Sequence, residues 1–157
     1  IVNAGNGMGL GCFTPNHSCV DNAIHTFSGM RLRLECNNIL VGKQLKTSDV
    51  IICKGYNLPC KYVITTIGPR VIRNITEKDE EKLYNCYINS LTLAKENNLK
   101  QLCFSSISTG LYGYPISKAK YVALKAVKDF LNDNDMKVIF NLYTKEDYNE
   151  YKRLFID

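Results

Sequence analysis

Short runs of β-branched and aromatic residues that pass through a glycine-bearing loop straight into an amphipathic helix constrain this chain more than any other feature. Leu102-Cys103-Phe104 leads into Ser105-Ser106-Ile107-Ser108-Thr109-Gly110-Leu111-Tyr112-Gly113-Tyr114-Pro115. The helix that follows, Ser117 to about Leu131, turns Val122, Ala123, Ala126, Val127 and Phe130 to one side. Strands that alternate with helices in this way must be joined by crossovers, which build a mostly parallel sheet covered on its faces. An α/β sandwich with a mixed, mostly parallel central sheet is the expected fold class.

The other segments fit that plan. Ile1-Val2 reads as the interior of a strand, so a domain lacking upstream elements is expected. Val20, Ala23, Ile24, Phe27, Met30 and Leu34 recur at helical spacing and predict one helix of roughly five turns to about Ile39. Ser18-Cys19-Val20-Asp21 reads as a capping box at its start. Val50 to Cys53 and Lys61 to Ile67 read as an antiparallel pair joined by the turn Gly55-Tyr56-Asn57-Leu58-Pro59. Thr76 opens a helix with Leu83, Tyr87, Ser90, Leu91 and Ala94 on one face; Val138-Ile139-Phe140 forms a strand, and Thr144 caps a last helix.

At 157 residues, with 45% hydrophobic content, the chain reads as a single domain, residues 1–157, with a substantial core. A net charge of +5 comes from scattered lysines rather than a basic run, which argues for a solvated surface and against nucleic acid as partner. Seven cysteines, an odd number, in a chain too large to need disulfide staples point to a reducing, cytoplasmic setting. The sequence contains no apolar run long enough to span a bilayer.

One loop gathers chemistry. Gly9-Leu10-Gly11-Cys12-Phe13-Thr14-Pro15-Asn16-His17-Ser18-Cys19-Val20-Asp21 places three soft metal ligands, Cys12, His17 and Cys19, within eight residues. Thiolate and imidazole suit zinc. Three protein ligands rather than four is the pattern of a catalytic site with an open position, although a fourth from elsewhere, such as Cys36, would close it. The other cysteines, Cys36, Cys53, Cys60, Cys86 and Cys103, lie in or beside apolar segments as small hydrophobes. His25, an isolated helical histidine, reads as a packing residue.

The Ser105 to Pro115 loop offers small residues, two glycines and the hydroxyls of Ser108 and Thr109 ahead of a helix N-terminus, which suits a diphosphate or an ordinary connection equally. Asn3-Ala4-Gly5-Asn6 reads as a turn whose amides are able to bond sugar hydroxyls.

Asn3-Ala4-Gly5-Asn6, Val20-Asp21-Asn22-Ala23-Ile24-His25, Lys54-Gly55-Tyr56-Asn57-Leu58-Pro59 and Ser106 through Pro115 resemble, in order and across nearly the whole chain, the signature blocks of a macrodomain. The Cys12 to Cys19 segment resembles the zinc-containing branch of that family, whose members remove ADP-ribose from proteins and are often encoded with a sirtuin-like ADP-ribosyltransferase. The resemblance implies a three-layer α/β/α sandwich. It implies Asn6 and Asp21 near the distal ribose as catalytic residues, and Asn3, Ser108, Thr109, Gly110, Leu111 and Tyr112 as substrate contacts. Tyr143 matches the position of an aromatic ring against the adenine, and Cys12, His17 and Cys19 match the ligands of Zn2+. Two departures stand out: the strands and the adenine-reading aspartate that usually precede the first asparagine motif are not in this sequence, and Gly5 replaces the usual alanine in a loop loosened by Gly7, Met8 and Gly9.

The expected function is zinc-dependent removal of ADP-ribose, as mono-ADP-ribose linked to Asp or Glu side chains, from modified proteins. The expected partners are ADP-ribose and the mono-ADP-ribosylated protein, with a sirtuin-like transferase system behind them. The alternative is a non-catalytic reader of ADP-ribose in which zinc only staples the loop.

Overall fold

The computed structural model describes residues 1–155. Five strands, β1 (Val2–Ala4), β2 (Val50–Lys54), β3 (Tyr62–Thr66), β4 (Gln101–Phe104) and β5 (Lys137–Phe140), form one sheet in the order β2-β3-β1-β4-β5. The β2–β3 hairpin is the antiparallel pair, with Val50 opposite Thr66 and Lys54 opposite Tyr62. All other neighbours run parallel: Val2 pairs with Ile64 on one side and Phe104 on the other, and Leu102 pairs with Val138. The mixed, mostly parallel sheet expected from the alternation of strands and helices is what forms.

Helices α1 (Val20–Ser28) and α2 (Met30–Leu40) cover one face, where Ile24, Leu32, Cys36, Leu40, Ile51 and Val63 make a buried cluster. Helices α3 (Glu77–Glu96) and α4 (Ile116–Leu131) cover the other, over Val2, Ile64, Leu83, Tyr87, Phe104 and Ala123. A short α5 (Lys145–Lys152) packs on α4 and sets the Tyr151 ring 5.2 Å from that of Phe140. The result is a three-layer α/β/α sandwich. Each fully buried leucine, such as Leu32 or Leu83, stabilises it by roughly 2 kcal/mol through the apolar surface withdrawn from water.

Two expectations need correction. The helix expected to run unbroken to Ile39 is broken at Gly29, whose φ of 86° and ψ of 179° end α1 and start α2 on a new axis. The change of axis shifts the inward face: Leu32, Cys36 and Leu40 are buried, while Ala23, Phe27, Met30 and Leu34 are exposed and Val20 is only partly covered. A glycine takes up a positive φ without a Cβ clash, which the 3.6-residue period alone does not reveal. The capping box expected from Ser18 and Asp21 does not form. Cys19, not Ser18, is the N-cap of α1, its Sγ accepting from the Asn22 amide at 3.3 Å, because the Asp21 carboxylate is occupied by side chains across the loop. Thr76 and Asp79 do form the reciprocal box at the start of α3, and Thr144 caps α5 through the Asp147 amide at 3.0 Å.

From β1 the chain crosses one face through α1 and α2 toward β2; from β4 it crosses the other through α4 toward β5. The loops after β1 and β4 therefore diverge at adjacent strand ends, the topological switch point at which open α/β sheets hold ligands.

Candidate active site

The site is built on the carboxyl ends of the parallel strands. Asn3, fully buried on β1, donates from Nδ2 to Asp21 Oδ1 at 2.7 Å and to Thr65 Oγ1 at 3.3 Å. Asn6, just past the strand, donates from Nδ2 to Gly11 O at 3.2 Å and to Asp21 Oδ2 at 3.4 Å, while its Oδ1 accepts from the Met8 amide at 3.0 Å. Gly5 lets the chain leave β1 close against β3: a Cβ there would sit 2.9 Å from Thr65 Cγ2. Asn3, Asn6 and Asp21, read separately from the sequence, thus form one hydrogen-bonded unit. Burial pushes the proton affinity of Asp21 above the usual carboxylate range, opposed by the Asn3 bond and by the Arg33 guanidinium. A carboxylate so placed holds a proton more readily than one in water, a property suited to acid–base work.

His25 lies under this unit. Its Nε2 is 3.7 Å from Asp21 Oδ1, and its ring is close enough to Gly11 that a Cβ on that glycine would approach ring atoms to 2.6–2.9 Å. Burial, reinforced by Arg33, lowers the His25 pKa to about 4, so the ring is neutral near pH 7. The reading of His25 as a packing residue matches this position. Arg33 was not singled out by the sequence. It reaches from α2 to donate from Nε to Leu10 O at 2.8 Å and lays its guanidinium 4.4 Å over the Phe13 ring. Asn22 likewise ties down the loop, donating from Nδ2 to Thr14 O at 2.9 Å. Neither has a local signal in sequence, because each acts across a loop whose path is set by tertiary packing.

Cys12, His17 and Cys19 converge as their spacing suggested. Their ligand atoms lie within 4.8 Å of one another, with Cys12 Sγ 3.5 Å from His17 Nδ1. All three are half-buried rather than packed into the core. Among the described residues no fourth His, Cys, Asp or Glu joins them. Cys36 does not: it is fully buried between α2 and the sheet, its Sγ 3.4 Å from that of Cys53 on β2. Two thiols and an imidazole at this separation fit a tetrahedral soft cation and leave one position for a non-protein ligand.

The loop after β4 is shaped by its own bonds. The Tyr114 amide donates to Ser108 O at 3.0 Å, the Gly113 amide to Gly110 O at 3.0 Å, and Thr109 Oγ1 to Ser106 O at 3.2 Å. Ser108 holds a φ of 67°, costly for a residue with a side chain. The hydroxyls of Ser105, Ser106 and Ser108 are turned into the protein, where Ser108 Oγ lies against Gly68. Gly110 has open space around its Cα, Leu111 is exposed, and Tyr112 packs into the same apolar cluster as Leu10 and Val20, which draws this loop toward the one after β1. Tyr143, three residues past β5, is 91% exposed. Its ring is therefore free to stack on a flat ligand but is held by little else.

Among the described residues no helix is long and apolar enough to cross a membrane. The profile of the Macro domain matches residues 2–123. A protein-ADP-ribose hydrolase of Treponema medium is 40% identical over 158 residues, which take in 98% of this chain and 60% of that protein. The ADP-ribose glycohydrolase MACROD2 of Xenopus laevis is 43% identical over 156 residues, 98% of this chain and 35% of its own length. The chain thus spans about 60% of the length of the first of these curated relatives, and less of the second. Among solved structures, the Oceanobacillus iheyensis macrodomain with ADP superposes with a TM-score of 0.86 at 41% identity, covering 98% of this chain and 80% of that one. The Trypanosoma brucei macrodomain in complex with ADP-ribose gives 0.85 at 32% identity, over 98% and 62%. With the sheet order, the two divergent loops and the paired asparagines already in place, these matches assign the chain to the Macro domain family.

Proposed function

We propose that this chain is the catalytic macro domain of a protein-ADP-ribosyl hydrolase that frees mono-ADP-ribose from Asp or Glu side chains. The observation that carries the reading is the Asn3–Asp21–Asn6 unit, with Asn3 and Asp21 buried and Asn6 partly open, at the switch point of the sheet and beside a three-donor cluster. The relatives named protein-ADP-ribose hydrolase and the neighbour bound to ADP-ribose support the same substrate class.

In this reading the loop from Ser105 to Pro115 holds the diphosphate with the backbone amides around Gly110. Binding energy spent there fixes the distal ribose over β1. Asn6 orients that ribose through its amide, and Tyr143 and Leu111 flank the ligand. Asp21, kept in place by Asn3, accepts the proton of the attacking water or of a ribose hydroxyl. Water bonds to the anomeric carbon of the distal ribose and gives its proton to Asp21, the bond from that carbon to the side-chain carboxylate oxygen breaks, and the carboxylate leaves with no proton needed at neutral pH. Cys12, His17 and Cys19 would hold Zn2+, which would supply Lewis acidity to a bound oxygen ligand. The seven free cysteines support a reducing, cytoplasmic location. A sirtuin-like ADP-ribosyltransferase as the source of the modified protein rests on the resemblance of the cysteine–histidine loop alone.

The test is release of ADP-ribose from a protein carrying it on an acidic side chain, run alongside ADP-ribose titration by calorimetry. Release that is lost in Asp21→Ala while ADP-ribose still binds is the expected result. Binding with no release by the unaltered chain, at full metal occupancy, would make it a reader instead.

A further inference from the structure

Asn6 is followed by Gly7, and this is the single Asn-Gly pair in the chain. Asparagine followed by glycine is the pair in which the next backbone nitrogen is least screened, because no Cβ stands between it and the asparagine side chain. Three features of the fold bring this chemistry into the site. Asn6 Oδ1 accepts from the Met8 amide at 3.0 Å, which curls the side chain back over its own backbone and draws electron density from Cγ. The Gly7 amide, the nucleophile, makes no hydrogen bond to a described residue, although Gly7 O is held by the Leu45 amide at 2.9 Å. Asn6 lies at the C-terminal edge of the sheet and is only partly buried, so water reaches it.

We propose that Asn6 is a site of spontaneous deamidation, by which the fold converts a residue of its own candidate active site into aspartate or isoaspartate. The Gly7 nitrogen attacks Asn6 Cγ and the N–Cγ bond forms; the amide proton passes through solvent to Nδ2, the Cγ–Nδ2 bond breaks, and ammonia leaves a five-membered imide. Water then adds across one of the two imide C–N bonds. Opening at Cγ gives aspartate; opening at the backbone carbonyl gives isoaspartate, which inserts one methylene into the main chain. Water is the only co-reactant and nothing is oxidised or reduced.

The product does not fit where Asn6 sat. Nδ2 faces two acceptors, Gly11 O at 3.2 Å and Asp21 Oδ2 at 3.4 Å, and an oxygen in its place turns both contacts from attraction to repulsion. The second carboxylate also stands against Asp21 in a largely buried site, a costly pairing of like charges. The modification depends only on Asn6, Gly7 and their contacts. The accompanying loss of function rests on the role proposed above for Asn6.

The experiment ages the purified chain at 37 °C and mildly alkaline pH, digests samples with trypsin, and locates the conversion of amide to acid within peptide 1–31 by tandem mass spectrometry. ADP-ribose affinity and ADP-ribose release are measured on the same samples. Asn3, Asn16 and Asn22 share that peptide but precede Ala4, His17 and Ala23, so they are internal controls. Conversion at Asn6 is expected to outpace each of them by an order of magnitude or more, and Gly7→Ala is expected to remove that excess. A Cβ at Gly7 meets only Leu45 O, at 3.4 Å, so this variant keeps the loop. Conversion at Asn6 no faster than at Asn16, or undiminished in Gly7→Ala, overturns the proposal. Conversion as expected with both affinity and release intact upholds the modification and overturns the role of Asn6.

Discussion

Asn3 Nδ2 donates to Asp21 Oδ1 at 2.7 Å, joining the central strand of the sheet to the first turn of the helix that follows the candidate metal loop. Asn3→Ala leaves the buried Asp21 carboxylate without its shortest donor, and a loss of about 2 kcal/mol in urea unfolding is expected. Because that bond holds the Asp21 proton affinity down, its removal raises the affinity further, and the acid limb of a pH–rate profile should move to higher pH. An unmoved limb would show that Asp21 does not set it.

The buried neutral His25 makes a separate contribution to pH dependence. Its folded pKa, about 4, lies below the ordinary histidine value of 6.5. Between these values the unfolded chain takes up a proton that the folded chain refuses, so stability is complete above pH 6.5, falls as pH drops toward 4, and levels off below. The swing is at most about 3 kcal/mol. Unfolding free energies from pH 4 to 7 should fall less steeply in His25→Gln than in the unaltered protein; parallel curves would refute the assignment.

The two cysteines of the candidate metal site should separate in their effects. Cys19→Ala and Cys12→Ala each remove one of three donors, and zinc content by elemental analysis should fall well below one ion per chain in both. Cys19 is also the N-cap of α1, so its loss should cost roughly 1 kcal/mol more stability than that of Cys12 when both are compared free of metal. Equal metal-free stabilities would argue against the cap.

Gly68 governs the loop proposed to hold the diphosphate from outside it. A Cβ at this position would collide with Ser108 Oγ and come within 2.8 Å of Ile107 Cγ2. Gly68→Ala is therefore expected to displace Ser108 from its strained backbone and to weaken ADP-ribose binding tenfold or more by calorimetry, about 1.4 kcal/mol. Wild-type affinity in this variant would remove Ser108 from the binding loop.

What could be read from the chain alone follows a physical division. The β2–β3 hairpin, the α3 capping box at Thr76 and Asp79, and the buried face of α4 depend on residues close in sequence, and each formed where local chemistry put it. Convergence of Cys12, His17 and Cys19 was legible for the same reason. The break at Gly29 was not, because a glycine inside a helical period is silent until packing selects its φ. Nor was the Asn3–Asp21 bond, which spans eighteen positions and depends on the parallel register of β1. Ser18 had the better side chain for a cap, yet the helix starts one residue later because Asp21 is drawn to the asparagines.

The break at Gly29 also makes α1 a strut of nine residues, about 13 Å long at 1.5 Å per residue, anchored at both ends. At one end Cys19 and Asp21 belong to the candidate active site; at the other Ser28 Oγ donates to Gly55 O at 2.8 Å, pinning the helix to the β2–β3 hairpin. A hairpin turn at the opposite end of the strands from the loops after β1 and β4 therefore sets how far Asp21 reaches toward Asn3. Sequence changes around Gly55 and Asn57 should tune the site mechanically, without touching anything that binds there.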